Sequence, residues 1–502
     1  MSMPASQSTP SPTLADLLDG IAQAPPVPVT DITSDSRRLV AGAVFLACRG
    51  ARAHALEFLA PEAAARAAAI VWDGDAGVSP PTTTPVVVVP DLRARLGDIA
   101  NRWFDSPSAA LAVTGVTGTN GKTTLAWLLA QCWQRLGQRC AYLGTLGGGI
   151  DEITDTGGLT TPDCIELHRA LARFRDAGAV RAALEVSSHA LDQARLAGVH
   201  FAAAAFTNLS RDHIDYHGDM TRYGESKARL FTEFTPLHRV ICVDDEFGQA
   251  LATRAGDDAI RVATTAVPGA TTGRHVVAGD IEPTATGTRF RVRSSWGNGA
   301  CELPLPGHFN VANACEVLAL LLCDGVALDD ALAVMATVTP PPGRMERVTA
   351  GAAQPGPQVF VDYSHTPAAL AVALRALRPH CEGTLWCVFG CGGDRDRGKR
   401  PLMGAVVEAE ADRAVLTSDN PRTEDAAAIM SDVATGMSVP PVAIEDRAAA
   451  ICWTIRQAAP VDTVLIAGKG HENYQVLGER RIPFSDFQVA AQCLRELALA
   501  GR

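Results

Sequence analysis

The chain has 502 residues, 47% hydrophobic and 20% charged, with a formal net charge of -11. Single cores stop growing near ~250 to 300 residues, so a chain of this length divides into several domains, and its composition excludes a disordered protein. The acidic balance gives no general attraction to nucleic acid or acidic membrane, and no apolar run reaches the ~18 residues that a membrane span needs.

Residues 1 to 13 are rich in Ser, Pro and Thr and carry no basic-then-apolar leader pattern. The 13 cysteines are scattered singly, without metal-ligand pairs, which fits a reduced compartment; the expected address is the cytoplasm. Leu14 to Ala22 reads as a short helix and Ala43 to Ala47 as a strand. Between them Thr33-Ser34-Asp35-Ser36-Arg37-Arg38 is a polar loop, either solvated or holding a polar ligand. Pro61 to Ala68 reads as helix, Ala69 to Trp72 and Val86 to Val89 as short buried strands, and Leu92 to Trp103 as helix. Together they make a first α/β domain over 1–107, a usual domain size.

Leu111 to Leu125 reads Leu-Ala-Val-Thr-Gly-Val-Thr-Gly-Thr-Asn-Gly-Lys-Thr-Thr-Leu, an apolar strand entering a glycine-rich turn and then a helix. Glycines let the backbone N–H groups turn inward, the helix offers its positive end, and Lys122 supplies a mobile cation for terminal phosphates. The motif departs from the strict Walker spacing, because Val116 stands five before Gly121. A plain glycine turn is the alternative. Beyond it, strands at Ala182 to Val186, Ala202 to Thr207 and Arg239 to Val243 alternate with helices, which argues for a parallel sheet covered on both faces. Ligands in such folds sit at the carboxyl ends of strands, where Glu185 to His189 and Asn208 to His213 fall. Residues 276 to 295 alternate as exposed β-structure, and Gly307 to Leu322 reads as a helix opened by His308-Phe309-Asn310, with Asn310 a possible cap.

The prolines of Thr339-Pro340-Pro341-Pro342-Gly343-Arg344 stiffen a linker and remove donors, so the central domain spans 108–338 and a third spans 339–502. In the third, Val359 to Asp362, Leu385 to Phe389, Ala414 to Leu416 and Thr463 to Ala467 repeat the doubly wound pattern. Each strand ends in polar or glycine residues: Asp362-Tyr363-Ser364-His365, Gly390 to Arg395, Asp419-Asn420-Pro421-Arg422 and Gly468-Lys469-Gly470-His471-Glu472. Turn chemistry accounts for each loop singly but not for cations, histidines and carboxylates recurring at one sheet edge.

Gly118 to Thr124, Glu-Val-Ser-Ser-His at 185 to 189, Asn-Leu-Ser-Arg-Asp-His at 208 to 213 and the four late loops together resemble the Mur ligase family, from about residue 30 to about 490. The resemblance implies an N-terminal UDP-binding α/β domain, a central P-loop ATPase domain and a C-terminal Rossmann-like domain. It implies an ATP- and Mg2+-dependent ligase acting as a monomer in cytoplasmic peptidoglycan precursor synthesis. The γ-phosphate passes to a substrate carboxylate, and an incoming amine displaces phosphate from the acyl phosphate. Asp-Asn-Pro-Arg with Gly-Lys-Gly-His-Glu resembles the member that joins meso-diaminopimelate to the D-glutamate of UDP-MurNAc-L-Ala-D-Glu. The alternatives are a lysine-adding ligase, another ligase of the superfamily such as folylpolyglutamate synthase, and a non-catalytic P-loop protein that binds a nucleotide sugar.

By the same resemblance, Lys122, Glu185, His213 and Lys227 are catalytic, and Thr123, Glu185, His213 and Lys227 hold magnesium, with Lys227 carbamylated to N6-carboxylysine. Without the family, Lys227 reads as a surface helix lysine. ATP falls to Gly118, Thr119, Asn120, Gly121, Lys122, Thr123 and Thr124, with Asn310 at the adenine and Arg344 and Asp362 closing from the linker and third domain. The UDP-sugar dipeptide falls to Ser34, Ser36, Ala51, Arg52 and Ala53, with Thr160, Thr161, Ser187, Gln193 and Arg195 around its peptide end. Diaminopimelate falls to Arg395, Asp419, Asn420, Pro421, Arg422, Gly468 and Glu472. Arginine suits that task, because its planar fork grips the distal carboxylate that lysine lacks.

Overall fold

The computed structural model describes residues 12–50, 53–75, 77–81, 83–154, 158–349 and 356–500, so Ala51 and Arg52 lie outside the described residues. The chain falls into two compact units, one running to Lys122 and including Gly137–Arg239, the other made of Thr123–Leu136 and the chain from Val240 onward. Both have the expected α/β architecture with parallel sheets.

In the first unit, Asp31–Thr33, Ala43–Ala47, Ala69–Trp72 and Val86–Val88 pair in chain order, all parallel. Val44, Leu46 and Val71 face one core with Leu14, Leu17 and Ile99, while Ala43, Phe45, Ala47 and Ile70 face another. This is the period-two alternation of strands covered on both sides. The opening helix is shorter than its sequence suggests, Leu14–Leu17, fixed by a reciprocal Thr13/Asp16 capping box. The helix at Pro61 likewise stops at Ala64, and Ser36–Arg38 closes into a 3-10 turn capped by Asp35.

The second sheet of this unit has Ala112–Thr117 at its centre, parallel to Arg181–Glu185 on one side and Ala203–Phe206 on the other. Cys140–Gly144 follows beside Arg181–Glu185, with Gly147–Gly149 antiparallel at the edge. Val116 stands opposite both Glu185 and Ala205, so three strands finish level and their polar residues emerge side by side. That register is why residues separated by about ninety positions in sequence meet at one loop.

In the second unit, Val240–Cys242, the end of strand His238–Cys242, runs parallel with Ile260–Ala263 and His275–Thr284 before a meander through Gly287–Ser294 and Gly297–Leu303. Helix His308–Cys323 is buried nearly all round, as its run of Val, Leu and Ala requires. The last sheet is ordered Glu346–Arg347, Gln358–Asp362, Thr463–Ala467, Leu385–Phe389, Arg413–Leu416 and Val442–Ala443, parallel after the first pair. Val359, Val361, Val388, Val464 and Ile466 pack on one face, and Phe360, Leu385, Phe389 and Leu465 on the other. Each such side chain contributes about 1.5–3 kcal/mol on burial, so strand direction and register are strongly held. Cys452 and Cys493 are paired as a disulfide between helices Arg447–Gln457 and Asp486–Ala500, a departure from the expectation of single cysteines. Among the described residues no helix is long and apolar enough to cross a membrane.

Candidate active site

The central strand delivers the chain into Gly118-Thr119-Asn120-Gly121, and helix Lys122–Arg135 starts directly after it. Gly118 sits at φ +146, and a Cβ there would meet the Thr207 hydroxyl oxygen at 1.9 Å, so only glycine fits. The loop is bound to the neighbouring strand end: Thr119 N–H donates to the Asn208 carbonyl (2.8 Å), Asn120 N–H to Asn208 Oδ1 (3.1 Å), and Ser210 N–H to Thr119 Oγ1 (2.9 Å). Thr123 and Thr124 are buried in the first helical turn.

Two lysines share one acceptor here. Lys122 folds back to donate to the Gly118 and Thr119 carbonyls, both at 2.9 Å, and Lys227 donates to the Gly118 carbonyl at 2.7 Å. Lys227 is 1% exposed, with its amine 4.4 Å from the Tyr223 ring centre. Burial pushes its pKa well below the ordinary lysine value, and the Lys122 charge adds to the shift against an opposing Asp212. The surface reading of Lys227 is therefore corrected. On helix Met220–Thr232 it lies four residues after Tyr223 and four before Phe231, both buried, so helical spacing places it on the inward face.

Glu185 ends its strand fully buried. Its Oε1 accepts from the Tyr142 hydroxyl and the Thr145 N–H (3.0 Å), and its Oε2 from the Thr145 hydroxyl (3.0 Å). A Cβ on Gly144 would come within 2.2 Å of Oε1, so that glycine completes the cradle. Tyr142 and Thr145 were not singled out by sequence; the only signal is their place at a strand end beside Glu185. His213 opens a short helix at φ +52, with its ring 4.9 Å edge-on from His189 and 6.1 Å from Tyr223. Burial, reinforced by the His213 and His217 charges, lowers His189 to about 4 and keeps its imidazole neutral.

Around Glu185 the expected dipeptide residues converge. Thr161 Oγ1 donates to the Glu185 carbonyl (2.7 Å) and accepts the Ser187 N–H (3.1 Å), and Thr160 meets Thr145 hydroxyl to hydroxyl at 3.2 Å. Arg195 donates to the Thr161 carbonyl (2.8 Å) and twice to Gln193 Oε1 (2.7 and 3.1 Å). The Ser34 hydroxyl reaches Asp163 (3.3 Å), while Arg38 pairs with Glu166 and Arg169 with Asp31 (2.9 Å). The serine loop is thus tied to helix Cys164–Asp176, which starts three residues after Thr161. Ser36 opens the adjacent 3-10 turn, and the Ala53 carbonyl accepts the Gly50 N–H at 2.8 Å.

In the second unit, Asp419, Asn420, Gly468 and Glu472 come together at one edge of the last sheet. Asn420 Nδ2 donates to Glu472 (2.9 Å), and the fully buried Lys469 donates to both Asn420 Oδ1 and Glu472 (3.0 Å each). Sequence reasoning left Lys469 out of the site, although it lies in the loop Gly468–Glu472. Gly468 is at φ +120, where a Cβ would press on Asp419 Oδ2 at 2.6 Å. Arg422, after the buried Pro421, holds the left-handed conformation at φ +54. Among the described residues its guanidinium reaches protein through Nη1 alone, to the carbonyls of Gly393 (2.7 Å) and Asn420 (3.4 Å). Arg395 is exposed on the neighbouring loop.

Arg344 lies 4.3 Å over the Tyr363 ring, and a Cβ on Gly343 would strike His471 N at 2.0 Å, so the linker's end is fitted to the Gly468–Glu472 loop. The Asp362 carboxylate takes the Met345 N–H (2.8 Å), the Ser364 N–H (2.9 Å) and the Ser364 hydroxyl. Asn310 is not a helix cap: it lies inside helix His308–Cys323, and its Nδ2 donates back to the Pro306 carbonyl at 2.7 Å.

A strand, a glycine loop with no room for side chains and a helix, with two amines on the loop's carbonyl, define a phosphate-binding α/β protein. Residues 116–321 match the model of the Mur ligase middle domain, and residues 343–470 that of the Mur ligase, glutamate ligase domain. The chain belongs to the Mur ligase family. It is 46% identical to a UDP-N-acetylmuramoyl-L-alanyl-D-glutamate--2,6-diaminopimelate ligase of Alkalilimnicola ehrlichii over 485 residues, 93% of this chain and 95% of the other. The protein of the same description from Chromobacterium violaceum is 46% identical over 480 residues, 93% and 94% of the two chains. A solved structure of a UDP-N-acetylmuramoyl-L-alanyl-D-glutamate--2,6-diaminopimelate ligase aligns with TM-score 0.70 at 35% identity, covering 97% of this chain and 99% of that one.

Proposed function

We propose that this chain is an ATP-dependent ligase that joins meso-diaminopimelate to the D-glutamate of UDP-MurNAc-L-Ala-D-Glu, as a cytoplasmic monomer in peptidoglycan precursor synthesis. The observation that carries the reading is the tight glycine loop between strand Ala112–Thr117 and helix Lys122–Arg135 with the Lys122 amine folded onto its carbonyls, because such a loop with a mobile cation at a helix start has a use where polyphosphate arrives. The near full-length likeness to proteins described as diaminopimelate ligases supports the choice of substrates. The reading keeps three domains, 1–107, 108–338 and 339–502, for UDP-sugar, ATP and amino acid.

Magnesium, when bound, would neutralise charge on the transferring phosphoryl group, held by Thr123, Glu185, His213 and a carbamylated Lys227. The donors suit it: Glu185 is a buried carboxylate fixed in place, and a hard cation prefers oxygen. Among the described residues no group of three or more His, Cys, Asp and Glu is placed to hold a metal ion, and magnesium, which uses few carboxylates beside substrate phosphates and water, needs none. The Thr119 and Asn120 N–H groups hold the loop to Asn208, so phosphates would be cradled by the turn at Gly121 and the helix start behind it, with Lys122 leaving its carbonyls to follow the transferring group. Asn310, Arg344 and Asp362 serve adenine, phosphate and ribose. Thr160, Thr161, Ser187, Gln193 and Arg195 hold the muramoyl dipeptide with its terminal carboxylate toward the phosphoryl group, and Ser34, Ser36 and Ala53 hold the uridine end. Asp419, Asn420, Gly468 and Glu472 orient the amino acid, so that its amine displaces phosphate from the acyl phosphate.

The test is release of phosphate from ATP with a panel of meso-diaminopimelate, lysine and ornithine. Release that needs both UDP-MurNAc-L-Ala-D-Glu and meso-diaminopimelate is the expected result; release without either one sinks the reading. Lys122→Ala is expected to fold and to lose turnover on the order of a hundredfold or more, because the missing cation faces charge developing on phosphate. Near-native turnover by that variant would overturn the cradle assignment.

A further inference from the structure

Tyr216 stands three residues after His213, on the short helix Ile214–His217, and has no part in the site as described above. Its hydroxyl donates to Asp192 Oδ2 at 2.6 Å and accepts from Gln193 Nε2 at 3.1 Å, while its ring lies 4.2 Å from that of His189. Gln193 Oε1 in turn accepts both N–H contacts of Arg195, whose Nη1 donates to the Thr161 carbonyl. Gln193 and Arg195 meet side by side because Ala194 between them takes the left-handed conformation at φ +55.

The polarity of this chain of bonds is forced from its two ends. The phenol donates to the Asp192 carboxylate and turns its lone pair toward Gln193. A guanidinium can only donate, so the Gln193 amide must present oxygen to Arg195 and nitrogen to Tyr216. The phenol and the Gln193 amide each donate on one side and accept on the other, so the direction set at Asp192 and the one set at Arg195 agree. Without the phenol hydroxyl, Gln193 Nε2 loses its acceptor, and the amide that Arg195 orients by its oxygen is anchored from one side only, so the acceptor of Arg195 is less firmly placed.

We infer that Tyr216 is a positioning residue for the acceptor substrate: its hydroxyl fixes the Gln193 amide, and through it the Arg195 guanidinium, from the same segment that carries His213. The inference rests on the proposed function, in which Gln193 and Arg195 hold the muramoyl dipeptide. It makes the His213 segment and the dipeptide residues one hydrogen-bonded assembly within the first unit, running Tyr216, Gln193, Arg195, Thr161, Glu185.

Steady-state kinetics on full-length Tyr216→Phe, which keeps the ring on His189 and removes only the hydroxyl, test it. The KM for UDP-MurNAc-L-Ala-D-Glu is expected to rise on the order of tenfold, the loss of one or two hydrogen bonds, with the KM values for ATP and meso-diaminopimelate and the Tm close to native. Asp192→Asn removes the forced polarity at the other end and is expected to raise the same KM. Combined with Tyr216→Phe it should add little, because both act on one chain of bonds. A Tyr216→Phe enzyme with native KM for the UDP substrate, or additive effects in the double variant, overturns the positioning role while native turnover leaves the proposed function standing. A native protein that does not turn over UDP-MurNAc-L-Ala-D-Glu overturns the proposed function, and this inference with it.

Discussion

Lys227→Ala is expected to yield a folded protein with almost no ligase activity, part of which returns on adding acetate or formate. Folding should survive because the native amine sits in a desolvated position next to a second cation, an arrangement that costs stability rather than supplying it. The same desolvation favours the neutral amine over the charged one. A neutral amine adds to carbon dioxide and loses a proton to form a carbamate, turning a cation into an anion with two oxygens at the phosphate loop. Losing such a group should cost on the order of a hundredfold or more in kcat, comparable to removing a preorganised charge from a transition state. The measurement is kcat of the variant with and without the small carboxylate. A fully active Lys227→Ala enzyme, or an inactive one that no carboxylate restores, would count against the modified lysine.

Arg422→Ala is expected to abolish the preference for meso-diaminopimelate. Arg422 follows Pro421 with its backbone in a conformation that costs a non-glycine residue about 1–2 kcal/mol, and such strain persists where the surroundings enforce it. Here its N–H donates to the Val476 carbonyl (3.1 Å) and its Nη1 to the Gly393 carbonyl (2.7 Å), which clamps the guanidinium plane before a ligand arrives. A carboxylate meeting that plane gains a charge-assisted, bidentate contact that lysine cannot make. Removing one partner of such a pair typically costs about 2 to 5 kcal/mol, on the order of a hundredfold or more in kcat/KM. The comparison is kcat/KM for meso-diaminopimelate and for lysine in both proteins. If native protein uses the two equally, or if their ratio is unmoved in Arg422→Ala, the selectivity assignment fails and a lysine-adding ligase takes its place.

The sheet framework was legible because buried parallel strands are apolar runs closed by glycine or polar residues; Leu385–Phe389 and Thr463–Ala467 begin and end where the sequence places them. Helix lengths were less legible. Leu14 to Ala22 is apolar enough to continue past Leu17, and what ends the helix is tertiary packing of Leu18 and the turn at Gly20. The glycine loop between strand Ala112–Thr117 and helix Lys122–Arg135 could be read from local chemistry alone. Lys227 could not, since a lysine's charge outweighs its helical position in any sequence-based judgement unless the spacing to Tyr223 and Phe231 is weighed first. Tyr142 and Thr145 carry no motif at all: they matter through sheet register, which places Tyr142 beside Ala183 and so near Glu185.

Beneath the loops proposed to hold the amino acid, Arg447 and Asp486 form a pair with both side chains fully buried. Its guanidinium donates to the carbonyls of Ser418 and Ala467, the residues just before Asp419 and Gly468. Two loop origins are thereby locked by an ion pair belonging to the helices behind them, so their order is settled when the domain folds and not when an amino acid binds. Loops ordered in advance lose little conformational entropy when a ligand arrives, so if they hold the amino acid as proposed, rigid mimics of it should gain affinity from each contact they make.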